Sequence, residues 1–548
     1  MAYYNLGTYS CPITTTSKKA QRWFDRGLNW IYGYNHEEAV ICFGKALGHD
    51  PGCAMAHWGI AYATGPNYNM PWQDFDDAGR ADALAKSYDA TQAALACPPG
   101  TKVEQALIQA LTARYPQRDL ADNMNTWNDA FADAMRHVYN AHPQALDVRA
   151  VFAEAMLNRT PWKMWDLASG TPAQGADTLE CQQVLEDALD NDPRTKAHPG
   201  LLHLYVHLME MSPAPEKALK AGDILRTLVP DAGHLIHMPT HIDVLCGHYE
   251  NVVRWNQRAV EVDLEYLERA GAYNLYSGYR IHNYHFAIYG AMFLGQFEPA
   301  MQAVRGIAET VPEELLRVKS PPMADYFEGY MGFEPHVLVR FGRWAEATRL
   351  PLPDDPELFC SLTANVHYAR GVAHAALGNV AEAEAEQALF LQACVRVPDT
   401  RRIHNNRVVD LLKIAEAMLE GEIEYRKGAY DVAFAALRRS VQMEDTLPYD
   451  EPWGWMQPAR HALGALLFEQ GHVAESEAVF REDLGLGGQL SRATVHPDNV
   501  WALKGLYDCL VARNETHEVI SVKQRLDLAN ARADKAAGAP CFCAQAAM

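Results

Sequence analysis

AQRWFDRGLNWIYGYNHEEAVICFGKALGHDP, residues 20–51, reads as one helical hairpin. Counted from Ala20 against a period of about 34 residues, Trp23 falls at position 4, Gly27 at 8, Trp30 at 11, Ala39 at 20, Phe43 at 24, Ala46 at 27 and Pro51 at 32. The spacing has a steric meaning. Small residues at 8 and 20 let two helices approach closely. Bulky residues at 4, 11 and 24 fill the interface, and the proline stops the second helix.

The pattern recurs. Gly295, Ala300 and Pro312 take corresponding places in residues 283–312, and Gly371, Gly378 and Ala383 in 367–389. Gly421, Gly428 and Ala433 do so in 415–440, and Gly464, Gly471 and Ser476 in 459–483. Weaker copies end near Pro143, Pro193 and Pro230, and another carries the turn CGHYENV at 246–252. The repeat resembles the tetratricopeptide (TPR) motif, and runs of alternating β-branched residues are missing. The expected fold is all-α, a TPR-like superhelical solenoid of roughly a dozen helical hairpins, each packed mainly on its neighbours.

The expected organisation is an N-terminal extension (1–19), an N-terminal array (20–349), a C-terminal array (350–530) and a flexible tail (531–548) carrying the CxC of Cys541 and Cys543. The proline-rich LPLPDDPEL (350–358) marks the hinge between the arrays. Two insertions rich in Trp, Gly, Pro and Asn, residues 65–82 and 159–177, interrupt the rhythm. They either staple adjacent repeats or project from a working face.

Composition narrows the function. With 49% apolar and 21% charged residues over 548 positions, the chain can bury a large core. Wholesale disorder, a collagen-like chain and a small disulfide scaffold are excluded. The charge sum, 48 − 69 = −21, repels phosphate backbones and argues against nucleic acid. No apolar run reaches the length of a membrane span, and the N-terminal residues lack the pattern of a secretory signal. Eleven scattered cysteines fit reduced thiols and a cytoplasmic setting. Phosphate-binding, dinucleotide-binding, nucleophile-elbow and HExxH motifs are all missing.

Histidine is distributed unevenly. Residues 198–285 hold nine of the 22 histidines, where an even spread would place about three or four. His203 and His207 are i,i+4 and leave one helix face together; His237 and His241 repeat the spacing, with His234 one turn earlier. His282 and His285 are i,i+3 in the next hairpin. Three successive repeats thus each offer two imidazoles, donors that suit copper, zinc, iron and nickel. The expected ligands are His203, His207, His237, His241, His282 and His285, with His234 orienting them and Glu210 as acid/base. Pro239 makes the geometry of His237 and His241 less regular than that of the first pair. His57, His367, His374, Glu154 and Glu334 are weaker candidates, and Tyr205, Tyr276, Tyr279 and Tyr284 are candidate walls of an aromatic pocket. Cys541 and Cys543 read either as a soft-ion site or as an accidental pair on a frayed end.

The strings HPGLLHLYVH, GHLIHMPTH and HNYHF, beside FDRGLNWIYGYNHEEAVICFGKAL and CAMAHWGIAYATGPNYN, resemble a widespread bacterial and fungal group of TPR proteins. That group carries HPGxxHxxxH, GHxxHMPSH and HNxHF; here Thr240 stands in place of the serine and keeps the hydroxyl. The resemblance directs attention to His198 and His234 as well as the six expected ligands. Fungal members found among biosynthetic genes imply small-molecule chemistry, though the resemblance specifies no reaction. The reading is a metal-dependent oxidoreductase, copper favoured over zinc or iron, acting on a small organic molecule in the lumen of the repeats. The alternatives are a TPR adaptor binding a peptide or protein partner, and a metal carrier or sensor.

Overall fold

Ser17 accepts the backbone N–H of Ala20 and opens the helix Lys18–Tyr32; Asn35 accepts that of Glu38 and opens His36–His49. These are the two helices expected from residues 20–51, and they belong to a computed structural model that describes residues 3–545. Tyr34 turns the chain between them with φ of 54°, a region that disfavours most side chains. Phe43 explains the glycines. A Cβ on Gly27, or on Gly59 of the following helix Ala54–Thr64, would stand 2.6 Å from its ring. The device is repeated around Phe480, where a Cβ on Gly464 or Gly505 would stand 2.6 or 2.3 Å away.

Helices follow one another in antiparallel pairs throughout, about a dozen hairpins among the described residues. The fold is all-α and TPR-like. Two antiparallel ribbons of two-residue strands, Trp165–Asp166 with Thr171–Pro172 and Arg402–Ile403 with Asn406–Arg407, decorate loops. No helix among the described residues is long and apolar enough to cross a membrane.

The division of the chain differs from the expected one. One compact unit comprises residues 1–242 and 258–276, the other 243–257 and 277–548. LPLPDDPEL lies within the second unit and is tied down there. Arg370 Nε donates to the Leu350 carbonyl at 3.1 Å, and Asp355 accepts the Leu358 N–H at 3.0 Å and Arg317 Nη2 at 2.7 Å. The N-terminal extension is likewise anchored within the first unit. Tyr3 Oη donates to Glu38 and Tyr9 Oη to Asp147, both at 2.7 Å.

The tail was expected to be flexible, yet its described part is docked on the second unit. Arg340 Nη2 donates to the Pro540 carbonyl at 2.8 Å, Arg426 to that of Cys543, and Phe542 packs edge-on to Trp501. Backbone carbonyls satisfied by buried guanidinium groups hold it in place. Cys541 and Cys543 are joined in a disulfide, while nine other cysteines are free. Residues 546–548 of the expected tail lie outside the described residues.

Two predictions follow from packing and burial. Gly59→Ala should lower stability by roughly 1–3 kcal/mol by driving a methyl into Phe43. Gly44→Ala, whose Cβ meets open space, should be neutral or stabilising by up to about 1 kcal/mol; thermal denaturation of the full chain ranks the two. His336 supplies the second. It is buried edge-on to Trp455, and burial holds its pKa down to about 4. The unfolded chain takes up that proton near 6.5, before the folded chain does, so stability falls as pH drops from about 6.5 to about 4. One such group contributes a slope of roughly 1.4 kcal/mol per pH unit. Denaturant midpoints between pH 7 and 4.5 should show His336→Phe to be less acid-sensitive than the parent.

Candidate metal centre

His198 begins the relevant segment but serves the backbone. Its Nδ1 accepts the Leu201 N–H at 3.2 Å, capping the helix Pro199–Met209, and its Nε2 lies 3.5 Å from Asp147. Pro199 follows at the first helical position, where its missing N–H costs nothing. His203 and His207 leave this helix side by side, both buried, with ring centroids 4.7 Å apart. His203 Nδ1 lies 2.7 Å from the carbonyl of Tyr32, which can only accept, so Nδ1 carries the proton. His207 Nδ1 donates to Glu210 Oε1 at 3.0 Å. Both tautomers are thereby fixed with the proton on Nδ1.

His234 comes from the short helix Gly233–His237. Gly233 admits this helix close to Asp263, since a Cβ there would stand 2.1 Å from its Oδ1. The His234 ring lies 4.9 Å from that of His203, and ligand nitrogens of His203, His207 and His234 all fall within 4.8 Å of one another. Burial, and then the surrounding imidazoles His203, His237, His207 and His241, hold the His234 pKa well below its ordinary value. A neutral imidazole is the form a metal requires. His234 therefore stands in the nitrogen group itself, where the sequence had placed it behind the ligands.

Pro239 breaks the segment as expected, ending one helix at His237 and starting Pro239–Leu245. The rings nevertheless meet, with His237 Nε2 and His241 Nε2 2.8 Å apart in a hydrogen bond. His241 Nδ1 donates to Glu210 Oε2 at 2.8 Å. Glu210 has no exposed surface and gives one oxygen to each of two imidazoles. That geometry suits an orienting role.

Aromatic rings form one wall of this cluster. Tyr34 lies 4.5 Å from His203 and stacks on His207 and His234 at 5.7 and 5.4 Å. Tyr68, from the first insertion, packs on His207 at 4.6 Å and on Trp162 of the second insertion at 5.0 Å; its hydroxyl accepts the Trp162 N–H at 3.2 Å. The first insertion thus reaches the histidines, and the second packs on the first. Sequence reasoning missed these three side chains. The signal for two of them was the pair of Trp-, Gly- and Pro-rich insertions that carry Tyr68 and Trp162.

His282 and His285 belong to the second unit, with centroids 6.3 Å apart because i,i+3 spacing splays them. There His285 stacks on Phe333 at 4.7 Å and meets the edge of Tyr330, and burial pulls its pKa down to about 3. His282 lies 5.6 Å from His404, which bonds Asp450 at 2.6 Å. His367 bonds Glu386 at 2.6 Å, and Glu154 accepts from Tyr62. Glu334 borders a cavity of about 210 Å³ in the second unit. Tyr205 bonds Glu186 at 3.0 Å, and Tyr276 bonds Asp263 at 3.2 Å.

No protein-family model matches the sequence, and no curated protein matches it. Among solved structures the chain is similar to yeast Tom70, at 12% identity and a TM-score of 0.25 over 92% of this chain and 99% of that one. The APC/C hetero-tetramer Cut9–Hcn1 gives 12% and 0.25 over 97% and 96%. Naa15/Naa10 bound to HypK-THB gives 11% and 0.21 over 93% and 70%. Likeness at this level carries no weight, and the fold assignment rests on the hairpins of this chain. The protein is an all-α, TPR-like repeat protein whose first unit buries a cluster of histidines around one carboxylate.

Glu210→Ala should cost about 3 kcal/mol or more, since two buried imidazole N–H groups lose their acceptor. Glu210→Gln keeps the volume and one acceptor oxygen and should cost less. Chemical denaturation of the full chain measures both.

Proposed function

We propose that His203, His207 and His234 hold a transition-metal ion and that the protein is a metal-dependent enzyme, copper favoured over zinc or iron, acting oxidatively on a small organic molecule. One observation carries the reading: three buried imidazoles with ligand nitrogens within 4.8 Å of one another, two of them with Nδ1 already committed to fixed acceptors. The donor set fits such an ion. Neutral imidazole suits copper and zinc, and the ligand nitrogens already lie within 4.8 Å of one another, against the roughly 3.3 Å expected around one four-coordinate centre. Copper in such a site supplies one-electron redox chemistry, whereas zinc supplies Lewis acidity.

The chain's own residues do the rest. Tyr32, through its carbonyl, and Glu210 orient the rings, and Glu210 ties His207 to His241 so that the two move together. Tyr34, Tyr68 and Trp162 offer an aromatic wall that suits a flat organic molecule and excludes water. The histidine strings place the chain, on this reading, in the TPR group that it resembles.

The deciding measurement is metal quantified per chain by mass spectrometry of untagged protein. Near-stoichiometric copper, zinc or iron is expected, lost in His207→Ala while the helical circular dichroism stays unchanged. A protein that is metal-free as purified and takes up none of these ions overturns the reading. Metal without turnover of any organic substrate would make it a carrier.

A further inference from the structure

We propose that Cys541 and Cys543 form a thiol–disulfide exchange site on the second unit, with low-molecular-weight thiols as its substrate. The pair is a built feature. Arg340 fixes the carbonyl before Cys541 and Arg426 fixes that of Cys543. A Cβ on Gly342 would stand 2.7 Å from the Phe542 side chain, so the intervening residue sits in a fitted slot. The two sulfurs differ in a useful way. Cys541 is partly exposed, whereas Cys543 is 1% exposed; both border a cavity of about 20 Å³, room for about one water, together with Arg340, Tyr368, Glu422 and His461.

Two guanidinium groups beside a disulfide stabilise a departing thiolate. Glu422 is buried, its Oε2 is 3.9 Å from Arg426 Nη2 and accepts no hydrogen bond among the described residues. Burial, moderated by Arg426, raises its pKa to about 7, so near neutral pH a large fraction carries a proton to give. The groups facing it are Arg426 on its own helix, Glu469 and His461 on Ala459–Glu469, Arg340 on Phe333–Arg340 and Tyr368 on Cys360–Ala376. Other cysteines lack this setting. Burial pushes the Cys42 thiol up to about 12 and that of Cys509 to about 11.

The step balances. An attacking thiolate RS⁻ forms a bond to Cys541 Sγ, and the Cys541–Cys543 bond breaks. Cys543 leaves with the electron pair and takes the proton of Glu422, which is reprotonated from solvent. A second RS⁻ attacks the R sulfur of the mixed disulfide, releasing RSSR and the Cys541 thiolate, which solvent protonates. Two thiols are oxidised to one disulfide, and the cysteine pair is reduced. A low-molecular-weight disulfide restores it by the reverse steps.

The test uses the full chain, reduced glutathione as the probe, and mass spectrometry of the alkylated C-terminal peptide 536–548. Opening of the disulfide should be at least tenfold faster than in that peptide alone. Cys543→Ser, treated with oxidised glutathione instead, should exchange to hold glutathione on Cys541 in preference to the other thiols, releasing one reduced glutathione. The rate per attacking thiolate should fall as pH rises through about 7, where Glu422 loses its proton. Glu422→Gln, checked for native circular dichroism, should slow opening about tenfold or more and abolish that fall. A wild-type rate no faster than the peptide, absence of the Cys541 adduct, or Glu422→Gln behaving as wild type each overturns the proposal.

Discussion

One carboxylate in the first unit accepts from two imidazoles on separate segments, and the histidine cluster takes its form from that. Glu210 has no exposed surface, and an unpaired charge so placed would be expensive. Its two oxygens are each given an N–H, from His207 at 3.0 Å and His241 at 2.8 Å. The consequence is directional. With Nδ1 of both rings committed to Glu210, their Nε2 atoms must face away from it. His207 Nε2 then turns toward His203 and His234, and His241 Nε2 toward His237. A carboxylate at the end of one helix thereby fixes tautomers on two segments.

The hairpins supply the precision. Phe43 and Phe480 each lie against two glycines, one on the helix before and one on the helix after their own, so neighbouring backbones approach to distances that one added methyl would forbid. Close, rigid packing of this kind holds short segments such as Gly233–His237 in place without a long helix to support them. Gly233 is an instance, being pressed against Asp263. Aromatic residues then finish the cluster from loops. Tyr34 comes from a turn, and Tyr68 and Trp162 from the two insertions.

In the second unit the same economy of buried charge appears at the C-terminal segment. Arg340 and Arg426 are buried or nearly so, and they direct N–H groups to backbone carbonyls of the tail. Burial draws the Arg340 pKa down to about 9, the expense of keeping a guanidinium from water. Such groups are well placed to anchor a segment that has few apolar side chains of its own.

The amino-acid sequence by itself determined the all-α fold, the hairpin period, the small-against-large pairing of Gly27 with Phe43, and the shared face of His203 and His207. All of these are local, fixed by helical geometry within a few turns. It also exposed the break at Pro239, because proline's missing N–H acts where it stands. Only the tertiary structure decided which histidines form one group, and so it moved His234 into the nitrogen cluster and left His198 as a helix cap. It also decided that Glu210 bridges His207 and His241, that the insertions carry Tyr68 and Trp162 to one another, and that residues 350–358 and the described tail are tied down. Each of those outcomes depends on contacts between residues far apart in the chain, and periodicity carries no information about which distant side chain arrives.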